Sequence, residues 1–465
     1  MGTLVMKFGG TTVGTTMALT QMASIVMTER ERWSQLLLVV SALDGVTDQL
    51  LEAAHLAEIE QRRGYRRIVA NLRTRHLALV EHLLNPAERT TLLTNIDGLL
   101  SELLNQCETL AEHRLTAAPD VLDAINTLGE RLAARIVAAL LRQNGLRSVA
   151  IDTTEIIITD DAHGHATPDM MLTRERIDSQ LVPMLGRGIV PVLTGFIGAT
   201  AKGKPTTLGR GGSDYSASIL AASIDADEVW MWTDVDGMMT ADPLDVSNAR
   251  LIPWLSYTEA ADLAYFGARV LQPRMINLLH ERRIPLRLRN LFAPQKPGTL
   301  ISQIANTPQS SAIAVTSIAG IGLTRASGGS LASITTLVDE VFYAYSSIHT
   351  DVMLCTQATS TSFVCFIVPT TAGQDAVHRL ADALASRVAA LPSSPAWSVQ
   401  TVVVVTAAGV LLAQDASLYT SLLATIAGVP SLATYTHPAR ASLSVVVEPQ
   451  HAETMLRRIH DIIVA

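Results

Sequence analysis

Three short signatures, in a fixed order, carry the residue types that anion chemistry needs. Lys7-Phe8-Gly9-Gly10-Thr11 stands near the start, Leu208-Gly209-Arg210-Gly211-Gly212-Ser213-Asp214 lies mid-chain, and Thr233-Asp234-Val235-Asp236-Gly237 follows soon after. The first sets a cation beside two glycines, whose missing side chains let backbone N–H groups approach a phosphate closely. The second offers a guanidinium that can grip a carboxylate with two prongs. The third puts a carboxylate at the C-terminal edge of an apolar strand, where parallel sheets bind ligands or metals. Phosphoryl transfer asks little covalent work of a protein. It needs cations on the transferring group, backbone donors, a metal ion and an acceptor held in line. The combination predicts a nucleotide triphosphate and a small anionic acceptor bound side by side.

Other polar residues are candidates for holding the acceptor. Ser41 ends a buried apolar run, Thr47 and Asp48 resemble a helix start, and Glu130 follows Gly129 at the head of a helical stretch. Each also has a purely structural reading. Asp214 and Ser213 suit the capping of a helix over 214–223, as Thr47 suits capping of its own helix. Glu130 and Arg269 fit solvated surface positions equally well. Neither a GxxxxGK[ST] loop nor a GxGxxG turn after a strand is present, so a P-loop and a Rossmann cofactor site are unsupported.

The elements that must position these groups follow from hydrophobic patterning. Residues 3–8 and 35–41 read as buried strands flanking a helix over 15–31, the spacing of a parallel sheet covered on both faces. From about 49 to 118 the chain is Leu-, Arg- and Glu-rich with helical periodicity, which predicts a helical insertion. Its Arg62-Arg63 and Arg66-Arg67 clusters read as a solvated face. A helix over 120–143 and strands at 147–152, 155–159, 189–194, 228–233 and 285–290 follow, with Pro183 and Pro191 expected at element edges. Near 292–310 the composition turns to Pro, Gly, Ser, Thr and Gln, a domain boundary. Beyond it two similar units of roughly 70 residues run in a βαββαβ order, the pattern of small ferredoxin-like modules.

Composition excludes several classes. The formal net charge is -8 and no long basic run exists, so nucleic acid has no electrostatic footprint. Three cysteines without CxxC spacing (Cys107, Cys355, Cys365) read as buried thiols of a reducing compartment, and no zinc site or HExxH is present. No apolar run approaches the ~20 residues of a membrane span. A cytoplasmic protein is expected, without membrane partners.

The ordered motifs resemble the aspartate kinases of the amino acid kinase superfamily over almost the whole chain. Lys7-Phe8-Gly9-Gly10-Thr11 resembles KFGGTS, with Thr12 in place of Ser, and Val40-Ser41-Ala42 with Gly45-Val46-Thr47-Asp48 resembles VSAxxGVTD. Gly129-Glu130 resembles SxGE, and Thr207 to Asp214 resembles TLGRGGSD. Thr233 to Gly237 with Ala241-Asp242-Pro243 resembles TDVDGxxTADP, Ser256-Tyr257 to Arg269 resembles SYxEAxELAxFGAK, and Pro297-Gly298-Thr299 resembles the closing PGT. The resemblance implies a three-layer α/β amino-acid-kinase sandwich (carbamate-kinase-like) with a largely parallel open sheet over 1–300. Two α+β ferredoxin-like ACT modules, over 310–390 and 391–465, would follow. It implies transfer of a phosphoryl group from ATP, with Mg²⁺ carried by the nucleotide, to the β-carboxylate of L-aspartate.

By position, Lys7 and Asp214 would be catalytic. Thr11, Ser41, Thr47, Glu130, Arg210 and Ser213 would bind the acceptor, with Glu130 on its ammonium and Arg210 on a carboxylate. Gly9, Gly10, Thr233, Asp234, Met239 and Arg269 would join Lys7 around the nucleotide. The paired modules imply a lysine or threonine effector and a homodimer or homotetramer. The length predicts no attached homoserine dehydrogenase.

The chain departs from the family pattern at Met239, where Tyr is usual. It departs again at Leu244, in place of a phosphate-reaching Arg whose loss costs about 1–3 kcal/mol, at Gln272, in place of His, and over 320–329, which lacks the usual effector-loop pattern. Related readings are a kinase of glutamate, acetylglutamate or carbamate, and a non-catalytic amino-acid sensor with the same fold.

Overall fold

Long apolar runs that alternate with helices leave the first part of the chain one economical arrangement: a sheet buried on both faces. A computed structural model describes residues 2–464 except 114–116, 210, 269–270, 304–313, 328–330, 347–349, 351, 358–359, 369–375, 392–395, 410–411, 413–414 and 438–441. The chain divides into two compact units, Met1–Met238 with Arg274–Ile304, and Met239–Pro273 with Ala305–Ala465.

The first unit is built on strands β1 (Thr3–Phe8), β2 (Gln35–Val40), β3 (Ser148–Ile151), β4 (Ile158–Thr159), β5 (Val190–Thr194), β6 (Ile197–Thr200), β7 (Pro205–Thr207) and β8 (Glu228–Thr233). Its main sheet runs in the order β3-β5-β2-β1-β8, then Leu286–Asn290 and Thr299–Ile301. The pairings are parallel throughout, except that Thr299–Ile301 lies antiparallel to its neighbour. Leu4, Met6, Phe8, Leu36, Leu38 and Val40 pack against helices Thr16–Arg30, Val46–Glu58 and Pro119–Gln143 on one face. Helices Met170–Gly186 and Gly212–Ser223 cover the other, so the unit is a three-layer α/β sandwich. A small second sheet joins β4, β6 and β7.

The expected insertion is three helices, Val46–Glu58, Arg62–Leu83 and Pro86–His113. Arg62, Arg63, Arg66 and Arg67 are exposed, and Arg66 pairs with Glu108 at 2.7 Å. Pro183 departs from expectation, because it lies inside helix Met170–Gly186. It sits in the last turn, so little helix follows the hydrogen bond that its missing N–H removes. Cys107 and Cys365 are buried as expected, and burial pushes each thiol up to about 12, whereas Cys355 is exposed. Among the described residues no helix is long and apolar enough to cross a membrane.

The second unit is an antiparallel sheet in the order Val352–Gln357, Ser362–Ile367, Ala314–Arg325, Ser398–Ala408, Ser442–Val447, Ala433–His437. Among the described residues each repeat contributes βαββα, one strand fewer than the expected βαββαβ, and the first strands of the two repeats pair with each other from Ala314↔Ala408 to Thr324↔Ser398. The second strands of the two repeats, Val352–Gln357 and Ala433–His437, lie at the two edges of this sheet. The segment Met239–Pro273 joins this unit through side chains. Ala241 and Val246 enter a core with Val315, Val405, Leu422, Met455 and Ile459, and the buried Thr240 hydroxyl lies 2.9 Å from His460 Nε2.

Candidate active site

The order of the main sheet creates a crevice. The chain leaves β1 for β2 on one side, while β8 lies on the other side of β1. At such a reversal, the loops that follow the strands diverge and leave room for a ligand beyond the carboxyl ends. Lys7 is the penultimate residue of β1, and its ammonium pairs with the carboxylate of Asp214 on helix Gly212–Ser223. Only 12% of the Lys7 side chain and 16% of the Asp214 side chain are exposed, so this pair is sheltered from the screening that weakens surface ion pairs.

Gly9 and Gly10 leave β1 at once. Gly10 begins a helix of one turn, Gly10–Val13, and the longer helix Thr16–Arg30 starts afresh on a Thr15 cap. Thr16–Arg30 is the helix expected over 15–31, and a single helical turn, not foreseen, stands between it and the strand end. The N–H and hydroxyl of Thr12 both donate to the Gly9 carbonyl, at 3.0 and 2.7 Å. Thr11 is exposed.

Glu130 lies near the middle of helix Pro119–Gln143, not at its head, and is only 3% exposed. A solvated role is therefore ruled out. Its Oε1 accepts the Ala42 N–H at 3.1 Å, while its Oε2 is buried with no hydrogen-bond partner among the described residues. Burial pushes the carboxyl up to about 8, against the opposing pull of the Ala42 N–H and the Lys7 charge. A buried, unpartnered carboxylate oxygen costs free energy unless something else satisfies it, and an ammonium would do so.

Gly129 makes this approach possible. A Cβ there would sit 2.7 Å from Ala42 Cβ. Gly129→Ala is expected to lower stability by about 1–3 kcal/mol through overpacking, read as a shifted urea midpoint with an unchanged slope.

Gly209 and Gly211 of the Gly-rich signature lie between β7 and helix Gly212–Ser223. Gly209 and Gly211 take φ of 77° and 70°, a region that side chains disfavour. Gly211 is the N-cap, with no side-chain cap bond. Neither Ser213 nor Asp214 therefore caps the helix. Asp214 is turned to Lys7, and Ser213 packs against Gly195, where a Cβ would lie 2.6 Å from Ser213 Cβ. Ser41 is half-buried directly after β2, and its N–H donates to Phe8 O at 3.1 Å. Thr47 is half-buried in the first turn of helix Val46–Glu58, whose N-cap is Gly45 and not Thr47.

Thr233 ends β8, and its hydroxyl contacts the exposed Asp234 carboxylate at 3.1 Å. Asp236 is held instead by Lys296 at 2.6 Å and Asn290 at 2.8 Å. Of the remaining expected residues, Arg210 and Arg269 lie outside the described residues. Met239, like Leu244 and Gln272, belongs to the segment that groups with the second unit. The first unit thus brings Lys7, Asp214 and Glu130 together, with Ser41 and Ser213 at adjoining strand and helix ends.

The amino acid kinase family model matches residues 2–290. The chain belongs to the amino acid kinase family. The chain is 34% identical over 305 residues to lysine-sensitive aspartokinase 3 of Escherichia coli, covering 66% of this chain and 65% of that protein. It is 30% identical over 389 residues to the chloroplastic bifunctional aspartokinase/homoserine dehydrogenase 1 of Arabidopsis thaliana, covering 82% of this chain. The chain spans 41% of the length of that bifunctional relative. Its structure resembles that of E. coli aspartokinase III in complex with aspartate and ADP, with a TM-score of 0.81 and 26% identity over 99% of this chain and 100% of that one.

Two parts of this candidate site are not legible in the sequence. The Ala42 N–H that holds Glu130 is backbone and leaves no residue-type signal. Phe196 takes a φ of 71° in the turn after β5, with its N–H donating to Ser216 Oγ at 2.9 Å. A bulky residue held in this region marks a turn that its surroundings dictate. Gly195 directly after an apolar strand was the available clue.

Proposed function

We propose that the chain is an aspartate kinase, transferring the γ-phosphoryl group of ATP to the β-carboxylate of L-aspartate to give 4-phospho-L-aspartate. This is the first step of the branch toward lysine, threonine and methionine. The observation that carries the reading is the convergence of the Lys7–Asp214 pair with the half-satisfied carboxylate of Glu130 at one strand-end crevice. Lys7 meets the transferring phosphoryl oxygens, Glu130 takes the substrate ammonium, and Arg210 takes a carboxylate. Thr11, Ser41, Thr47 and Ser213 complete the acceptor pocket. Gly9, Gly10, Thr233 and Asp234 take the nucleotide side of this crevice, and Met239 and Arg269 are assigned to the nucleotide by motif resemblance alone. Bringing two anions together is the main barrier, and a sheltered ammonium offsets their repulsion.

Asp214 offers the hard oxygen that suits Mg²⁺ alongside phosphate oxygens. Among the described residues no three His, Cys, Asp or Glu side chains gather as a metal cage, and in this reading the ion travels with the nucleotide. Bound Mg²⁺ neutralises charge on the β- and γ-phosphates.

The kinase domain spans 1–300, and the paired βαββα repeats over 310–390 and 391–465 act as ACT modules that bind an amino-acid effector and join subunits of a cytoplasmic homodimer or homotetramer. Lysine is the first effector to test, because one relative is lysine-sensitive. Incubation with ATP, Mg²⁺ and hydroxylamine tests the reading. Hydroxamate from aspartate, in preference to glutamate, acetylglutamate or carbamate, is expected. A preference for another acceptor overturns the assignment.

The pKa of Glu130 gives a second test. With burial raising its carboxyl to about 8, this group is held mainly in its protonated form at neutral pH in the free protein. Pairing with the substrate ammonium requires the ionised form, so aspartate binding at neutral pH is expected to release protons. Titration calorimetry in buffers of different ionisation enthalpy reads that release directly. The KM for aspartate should fall as pH rises from 6 to 8, by up to about tenfold per unit, and level off above.

A further inference from the structure

The buried carboxylate of Asp123 has no part in the site described above, yet it ties that site's two halves together. It lies on helix Pro119–Gln143, seven residues before Glu130 and therefore on nearly the same face. Asp123 is 2% exposed. Its Oδ1 accepts the Thr207 hydroxyl at 2.5 Å, and its Oδ2 accepts the Gly164 N–H at 3.0 Å and lies 2.8 Å from His163 Nδ1. Thr207 is itself buried, and its carbonyl accepts the Ala166 N–H at 2.9 Å.

Thr207 runs directly into Leu208 and the turn in which Gly209 and Gly211 take positive φ. Leu208 is held on both sides: its N–H donates to Phe196 O at 2.8 Å, and its carbonyl accepts from Arg274 at 3.3 Å. The loop that carries His163 and Gly164 presses on the same turn, because a Cβ on Gly209 would lie 3.1 Å from Gly164 O. A buried carboxylate is an expensive way to gain stability, since apolar side chains of similar size serve as well or better. What it supplies is a fixed, multi-pronged geometry.

We propose that Asp123, acting through Thr207 and the His163–Gly164 loop, is a positioning residue for the acceptor: it sets the start of the Gly-rich turn at a fixed distance from Glu130 on its own helix. The inference rests on the aspartate kinase reading. It assigns Asp123 no contact with either substrate, so its loss should register in acceptor affinity and leave nucleotide affinity alone.

The test compares Thr207→Val, which keeps the side chain's shape and removes the hydroxyl, with Thr207→Ser, which restores the hydroxyl. Steady-state kinetics of the full chain should show the aspartate KM raised about tenfold or more in Thr207→Val, with the ATP KM within twofold of wild type. Thr207→Ser should return the aspartate KM to within about threefold of wild type. Asp123→Asn should raise the same KM, and the double variant Asp123→Asn/Thr207→Val should be no worse than the poorer single variant, because both break one linkage. Parallel changes in both KM values, a loss of melting temperature with unchanged KM values, or a Thr207→Ser variant no better than Thr207→Val would each overturn the proposal. Wild-type protein that forms acyl phosphate from no acceptor overturns the kinase reading and this inference together. Active wild type with unaffected Thr207→Val overturns this inference alone.

Discussion

Lys7→Ala is expected to lower kcat by about 10²–10³-fold, with a smaller change in the KM for ATP. Lys7 is at a strand end, nearly buried, and paired with Asp214. In the proposed reaction its ammonium is therefore in place before a nucleotide arrives and needs no reorganisation as charge develops. The Coulombic effect of a sheltered cation greatly exceeds that of an exposed one. Its removal also leaves Asp214 facing incoming phosphate without a counter-charge. The double variant Lys7→Ala/Asp214→Ala should consequently lose less than the product of the single losses, as groups that act as a unit do. A kcat within threefold of wild type for Lys7→Ala would remove Lys7 from the chemistry.

Glu130→Gln should separate affinity from stability. The carbonyl of the substituted amide can still accept the Ala42 N–H, but its NH₂ then meets the substrate ammonium donor to donor. The aspartate KM is expected to rise about 10–100-fold, the loss of one charged hydrogen bond left unsatisfied. Stability should move the other way. Burial raises the Glu130 carboxyl from 4.5 to about 8 in the fold, so between those values the folded chain holds a proton that the unfolded chain has released. Stability from this group is full below the unfolded pKa and lost as pH rises through 8. The amide variant has no such loss. Urea unfolding at pH 6 and at pH 9 should show Glu130→Gln gaining on wild type as pH rises. Equal pH slopes for the two proteins would contradict the buried, unpartnered placement of this carboxyl.

Much of this architecture is legible in the sequence, for physical reasons. Buried parallel strands are continuous apolar runs, so Gln35–Val40 and Glu228–Thr233 announce themselves. The glycines of the mid-chain signature point to a turn of unusual backbone angle, and Gly209 and Gly211 both adopt it. What the sequence hides is orientation. Nothing in the Gly129-Glu130 pair distinguishes a solvated helix start from a mid-helix carboxylate driven into the core, because that depends on Ala42, far away in the chain. Asp214 looks like a cap by position, yet Gly211 takes that role and frees the carboxylate for Lys7. The grouping of Met239–Pro273 with the second unit is hidden for the same reason, since it rests on side chains such as Ala241 and Val246 meeting Val315 and Met455. Strands Ile197–Thr200 and Pro205–Thr207 are too short for a period-two signal.

The most direct measurement of phosphoryl transfer to the acceptor carboxylate follows an oxygen atom. Aspartate labelled with ¹⁸O in its β-carboxylate is incubated with the protein, ATP and Mg²⁺, and the product is trapped with hydroxylamine. Attack by the carboxylate on the γ-phosphorus makes one labelled oxygen the bridge. Hydroxylamine then cleaves the acyl C–O bond, and the released phosphate carries a single ¹⁸O atom. Phosphate bearing that label, in equal amount to ADP and hydroxamate, is the predicted result. Unlabelled phosphate, formed whether or not aspartate is present, would contradict it.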